Sequence, residues 1–152
     1  ADYKLQEGRG VKLTSGDDAV LISYGPVMLS QAYRAAMLLK ESNFGLTVIN
    51  LPWLNRVDEQ WLSEVLAKHK LLITLDNHFI KGGQGEYIAS VIPSLGLSSL
   101  ENVLKLGLTE IPKCGQNDEV LQAHKLDAQS IAARILAASQ SRLSLTGASR
   151  GR

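Results

Sequence analysis

Four apolar runs constrain this chain more than any other feature: AVLISYG from Ala19, LTVINL from Leu46, LLITL from Leu71 and NVLKLGL from Asn102. Each reads as a strand buried on both faces, because the apolar residues run continuously instead of alternating with polar ones. Helical patterns fill the gaps. From Val27 to Ser42, Leu29, Ala32, Ala36 and Leu39 recur at helical spacing, and Asn43 and Gly45 supply the stop. Asp58 is placed to cap DEQWLSEVLAKH, with Trp61, Leu62, Val65 and Leu66 on one apolar face and Lys68 and His69 near the negative end of its dipole. GEYIASVIPSLG carries Tyr87, Ile88, Val91, Ile92 and Leu95 on one helix face, with Pro93 expected to shorten or kink it. Two short helices close the pattern, one begun by Asn117 and the other capped by Asp127 and running through Ile131 and Ile135. Strands that alternate with helices over short loops form a largely parallel sheet covered on both faces. The expected fold class is α/β, a three-layer α/β/α sandwich.

With 152 residues, 45% of them hydrophobic, the chain holds enough apolar material for one domain without disulfides or metals. A net charge of +1, from 16 basic and 15 acidic residues, creates no field that would recruit nucleic acid or a membrane surface. Cys114 is the single cysteine, so no disulfide framework exists, and the expected location is the cytoplasm. No apolar run approaches the roughly 18 residues of a membrane span. The N-terminus, ADYKLQEGRG, lacks the pattern of a signal peptide and enters a strand-like stretch at once, as a piece of a longer polypeptide would. The domain is expected over residues 1–138. The tail 139–152, with three arginines and no acid, reads as disordered.

Open α/β sheets bind ligands beyond the carboxyl ends of their strands, which singles out SYGPV, NLPWLNRV and DNHFIKGGQG. Gly82, Gly83 and Gly85 admit two readings. They expose backbone N–H groups at a helix start, where an anion binds, or they permit positive φ and close helix–strand packing. GGQG matches neither GxGxxG nor GxxxxGK[ST]. His78 stands two residues after Asp76, a carboxylate able to hold an imidazole near neutral titration for general acid–base work, but no nucleophile adjoins it. The alternative is a histidine bonded locally or touching a partner. His69 and His124 read as helix C-terminal histidines, and the three histidines with Cys114 lack the spacing of zinc ligands. Cys114 reads as a small loop residue. Trp61 belongs to a helix's apolar face, whereas Trp53, in a strand-exit loop, is a candidate interface anchor. No catalytic set is assembled.

The order of these segments resembles the C-terminal domain of the transketolase family of thiamine-diphosphate enzymes, which includes transketolases, 1-deoxy-D-xylulose-5-phosphate synthases and the beta subunits of 2-oxo acid dehydrogenases. YKLQEGRGVKLTSGDDAVLISYG resembles the entry strand, acidic turn and first buried strand. VINLPWLNRVDEQWL resembles the second strand and its exit loop, and LLITLDNHFIKGGQGEYIA the strand, acid-rich turn and glycine-rich helix start. IPKCGQNDEVLQAHKLDAQSIAARI resembles the closing segment. The family's exit-loop pattern of aspartate, arginine and proline is replaced here by Asn50, Pro52 and Arg56 before Asp58, and its paired acids by Asp76 and Asn77. His78 fits the form of separately encoded transketolase C-terminal subunits.

The resemblance implies a mixed five-stranded sheet, mostly parallel with the entry strand antiparallel. It implies a parent enzyme that transfers a two-carbon ketol unit between sugar phosphates, with thiamine diphosphate and Mg held by N-terminal and pyrimidine-binding parts and no cofactor bound by this segment. It also implies that this domain serves contacts in a homodimer and is inactive alone. The beta subunit of a 2-oxo acid dehydrogenase is the alternative within the family. A stand-alone module that binds a phosphorylated ligand at the glycine turn is the alternative outside it.

Overall fold

The structure, a computed structural model, describes residues 4–140. Its elements alternate as the apolar runs require: β1 (Val11–Lys12), β2 (Ala19–Ser23), α1 (Pro26–Glu41), β3 (Leu46–Asn50), α2 (Glu59–Leu66), β4 (Leu71–Phe79), α3 (Gln84–Val91), a 3-10 turn (Ile92–Leu95), β5 (Asn102–Leu108), α4 (Asn117–Ala123) and α5 (Ala128–Gln140). The five strands form one sheet in the order β1-β3-β2-β4-β5. β2 runs parallel to β3 and β4, β4 runs parallel to β5, and β1 is antiparallel to β3.

The sheet separates two cores, and strand alternation assigns each side chain to one of them. Leu21, Val48, Ile73 and Leu106 face α1 and α5, where they meet Met28, Ala32, Ala35, Leu39, Ile131 and Ile135. Val20, Ile22, Ile49 and Leu72 face the opposite layer, meeting Leu62 and Leu66 of α2 and Ile88 of α3. Both faces of β2, β3 and β4 are covered, which is why those strands tolerate no polar alternation. β5, expected to be buried on both faces, lies at the sheet edge, is mostly half-buried and carries Lys105. The expected three-layer α/β sandwich is the fold observed.

Local signals act where the residues predict. Asp58 Oδ1 accepts the N–H of Trp61 and caps α2. Asp127 Oδ1 accepts the N–H groups of Gln129 and Ser130 at the start of α5. Pro93 ends α3, and the chain continues as the 3-10 turn. α1 starts with Pro26 in its first turn behind Gly25, at φ +73°. α5 continues through Gln140, so Ser139 belongs to that helix, and the expectation of a disordered tail otherwise concerns 141–152, outside the described residues.

β1 is only two residues long, yet the segment after it still holds the edge of β3. Leu13 N–H donates to Val48 O, Thr14 Oγ1 donates to Leu46 O, and Thr47 Oγ1 exchanges hydrogen bonds with the backbone of Gly16. His69 is buried and does more than follow a helix. Its ring nitrogens lie 2.8 Å from Val65 O and 3.1 Å from Gly16 O, joining the end of α2 to the turn before β2.

Ile22 is fully buried on the α2/α3 side. Ile22→Ala is expected to cost about 2–5 kcal/mol, because the cavity cannot collapse between a sheet and two helices, and urea unfolding reads it as a lower midpoint at unchanged slope.

Candidate functional site at the carboxyl edge of the sheet

The opening turns of α3 gather the exits of three strands. α3 begins after Gly83, which has no side chain to cap it. A helix start leaves N–H groups without intrahelical acceptors, so a remote acceptor is required. Asp76, on β4, supplies it. Its Oδ1 accepts the Gln84 N–H at 2.8 Å and its Oδ2 accepts the Gly85 N–H at 3.0 Å. The carboxylate is 1% exposed. The Gly82 N–H is taken by Glu86 Oε2 and the Gly83 N–H by Ile80 O. The positive end of α3 is therefore filled by the protein's own anion.

Tyr24, just beyond β2, donates a long hydrogen bond of 3.4 Å to Asp76 Oδ1, and Ser23 Oγ donates to Leu75 O. Gln84, itself buried, donates from Nε2 to Leu51 O and Trp53 O, both at 2.8 Å, in the loop after β3. One amide thus joins α3 to the β3–α2 loop.

Burial raises the Asp76 pKa above its ordinary value, and the hydrogen bonds from Gly85 and Gln84 offset this only in part. Burial, reinforced by the nearby Asp76 charge, also raises the Tyr24 hydroxyl.

The glycines follow from the same packing. Gly82 adopts φ +76°. A Cβ on Gly83 would lie 2.7 Å from Asp76 Cγ, and one on Gly85 would lie 2.2 Å from Thr74 Oγ1 and 2.8 Å from Asp76 Oδ2. Between the two readings of the turn, the geometry is that of close helix–strand packing. Among the described residues Thr74 Oγ1 is buried without a hydrogen-bond partner, close beneath Gly85.

Asp76 and His78 share no hydrogen bond, although the His78 ring lies near enough for its charge to lower the Asp76 pKa slightly against the effect of burial. β4 runs on to Phe79, so DNHF is strand and not turn, and its register against β5 shifts between Leu75 and Phe79. That irregularity leaves His78 exposed, its Nδ1 2.7 Å from Phe79 O, while Asp76 is buried. Trp53 is partly buried against the α2/α3 core, and its indole N–H donates to Gln6 O. Sequence reasoning missed Tyr24 and Gln84. The available signal was a helix start without a capping side chain, which calls for an acceptor elsewhere.

A family model for the transketolase C-terminal domain matches residues 8–131. The chain belongs to the transketolase C-terminal domain family. A transketolase C-terminal section from Methanocaldococcus jannaschii is 33% identical over 131 residues, covering 85% of this chain and 39% of that protein. The 1-deoxy-D-xylulose-5-phosphate synthase of Parabacteroides distasonis is 30% identical over 132 residues, 86% of this chain and 20% of the synthase. The chain thus spans well under half the length of these relatives. Among solved structures, a split-gene transketolase described as an inactive beta4 tetramer superposes with a TM-score of 0.81 at 24% identity, over 91% of this chain and 45% of that one. A Pichia stipitis transketolase superposes at 0.65 and 17% identity, over 86% and 18%. This transketolase C-terminal domain shares their fold.

The opening of α3 does not fit a diphosphate and its metal. The α3 N–H groups are occupied by Asp76, and the described residues contain no cluster of three or more His, Cys, Asp or Glu side chains placed to hold a metal ion.

Gly85→Ala is expected to lower stability by more than about 2 kcal/mol in urea unfolding, since strand and helix must part to admit the methyl group. Asp76 carries a pH signature. Its folded pKa lies above the ordinary 3.8, so the folded state binds the proton more tightly. Stability contributed by this group therefore falls as pH rises from 3.8 through the raised value, and is level above it. Subtracting the unfolding profile of Asp76→Asn from that of the wild type, between about pH 3 and pH 7, is expected to isolate that downward step.

Proposed function

We propose that this domain is an assembly part of a thiamine-diphosphate-dependent transketolase. The parent enzyme moves a two-carbon ketol unit from a ketose phosphate to an aldose phosphate, and the donor leaves as an aldose shortened by two carbons. Thiamine diphosphate and Mg are held by the N-terminal and pyrimidine-binding parts, and this domain contacts those parts and the homodimer partner in the cytoplasm.

The observation that carries the reading is what the carboxyl edge presents. Each of the four parallel strands is followed by an exposed large apolar residue: Val27 after β2, Leu54 after β3, Phe79 ending β4 and Ile111 after β5, the last 85% exposed. At the exits of β2, β3 and β4, the groups that would serve an anion are turned inward on Asp76. Apolar side chains around a closed polar centre suit a protein partner better than a small substrate. Family membership and the relatives named transketolase section and 1-deoxy-D-xylulose-5-phosphate synthase support the same reading. No helix among the described residues is long and apolar enough to cross a membrane.

The test is reconstitution with the upstream parts of the parent enzyme. Phe79→Asp together with Ile111→Asp is expected to leave the melting temperature of this domain unchanged, because both sites are exposed. The same pair is expected to abolish co-elution with the upstream parts and lower ketol transfer at least about tenfold, as loss of two interface anchors does. Unchanged co-elution and transfer would remove the assembly role from this edge.

A further inference from the structure

A second polar centre lies beyond the carboxyl end of β5, separate from the Asp76 cluster. A cavity of about 470 Å³ is lined by Gly107, Thr109, Glu110, His124, Lys125 and Arg134, together with Ala123. Arg134 projects from α5 and is partly buried, and among the described residues its guanidinium makes no hydrogen bond or ion pair. Burial lowers the pKa of its guanidinium below the ordinary value, as desolvation of a cation does. The one acid in the lining is Glu110, whose Oε1 lies 3.9 Å from His124 Nδ1 and forms no ion pair with Arg134. His124 Nε2 accepts the Lys113 N–H, so its ring is held by the loop before α4.

Lys125 is the second unusual feature. α4 ends in a Schellman turn: Lys125 N–H donates to Gln122 O and Leu126 N–H to Leu121 O. This places Lys125 at φ +56°, the left-handed position where glycine is favoured and a side chain is strained. The same turn at the end of α1 uses Asn43, a residue that tolerates this conformation. A lysine here costs stability and adds a cation at the mouth of the Arg134 cavity.

We propose that this cavity is an anion subsite for a phosphate dianion, free or as the monoester of a small metabolite. The planar guanidinium of Arg134 is suited to bidentate contact with two phosphate oxygens, Lys125 adds a second cation, and Thr109 supplies a hydroxyl at the rim. Glu110 stands on the His124 side and leaves the lining with a net positive charge once both cations are counted. The subsite is independent of the assembly reading, which rests on apolar residues and tests a complex, not a ligand.

The experiment is a titration of the 15N-labelled chain with inorganic phosphate and, in a second arm, glycerol 3-phosphate, against chloride at equal ionic strength. Saturable amide shifts centred on Thr109, Lys125 and Arg134 are expected in at least one arm. Tighter binding of glycerol 3-phosphate would assign the site to a monoester, and tighter inorganic phosphate to the free ion. Lys125→Gly is expected to raise the melting temperature while weakening binding at least about tenfold, and Arg134→Met to abolish the shifts while the fold persists. Opposite movement of stability and affinity in Lys125→Gly separates a ligand role from a structural one. Shifts no larger than those with chloride, or variants that bind as the wild type does, would overturn the proposal.

Discussion

The meeting of Asp76 with the opening of α3 is the interaction on which the rest of the carboxyl edge depends. Its two oxygens receive the first N–H groups of a helix whose N-cap is a glycine, and they do so from the neighbouring strand instead of from within the helix. Capping from β4 draws α3 onto the sheet closely enough that Gly83 and Gly85 cannot carry side chains. Once α3 is fixed, Gln84 holds the loop after β3 by two carbonyl oxygens, and Tyr24 closes over the carboxylate from β2. One buried anion thus orders three strand exits. Burial makes that anion costly, which accounts for its raised pKa even with two backbone donors in place.

The framework was readable because it rests on short-range patterns. Continuous apolar runs marked β2 to β5, Asp58 and Asp127 marked two helix starts, and Pro93 marked the end of α3. The site was less readable because it is built from residues distant in sequence. Asp76 was singled out with His78, since residues two apart in a turn are near neighbours. β4 instead continues through both with an irregular register, and the two side chains meet different surroundings. Tyr24 is 52 positions from Asp76, and its role requires knowing that β2 adjoins β4. Gln84 lay inside the quoted glycine stretch but carried no motif signal, because it acts on main-chain oxygens that any residue would offer. Arg134 and Lys125 stand near one another only because α4 turns sharply into α5.

This arrangement divides the surface into distinct chemical regions. At the exits of β2, β3 and β4 the polar groups are satisfied internally, and the exposed residues Val27, Leu54 and Phe79 are apolar. Beyond β5 the balance differs: among the described residues a partly buried guanidinium has no counter-charge, and a lysine occupies a left-handed turn. The same edge of the same sheet therefore offers an apolar contact surface over most of its width and a cationic recess at one end. A sheet whose loops follow parallel strands can host both, because each loop is placed by its own strand and varies with little effect on the others.

The short β1 has a consequence of its own. A two-residue strand would leave most of β3's outer rim open to the backbone of another chain, but Leu13, Thr14 and Gly16 occupy that rim through main-chain and hydroxyl hydrogen bonds. A foreign strand could therefore pair with β3 only after displacing this segment, so the cover over β3 is held by more than the two paired residues of β1.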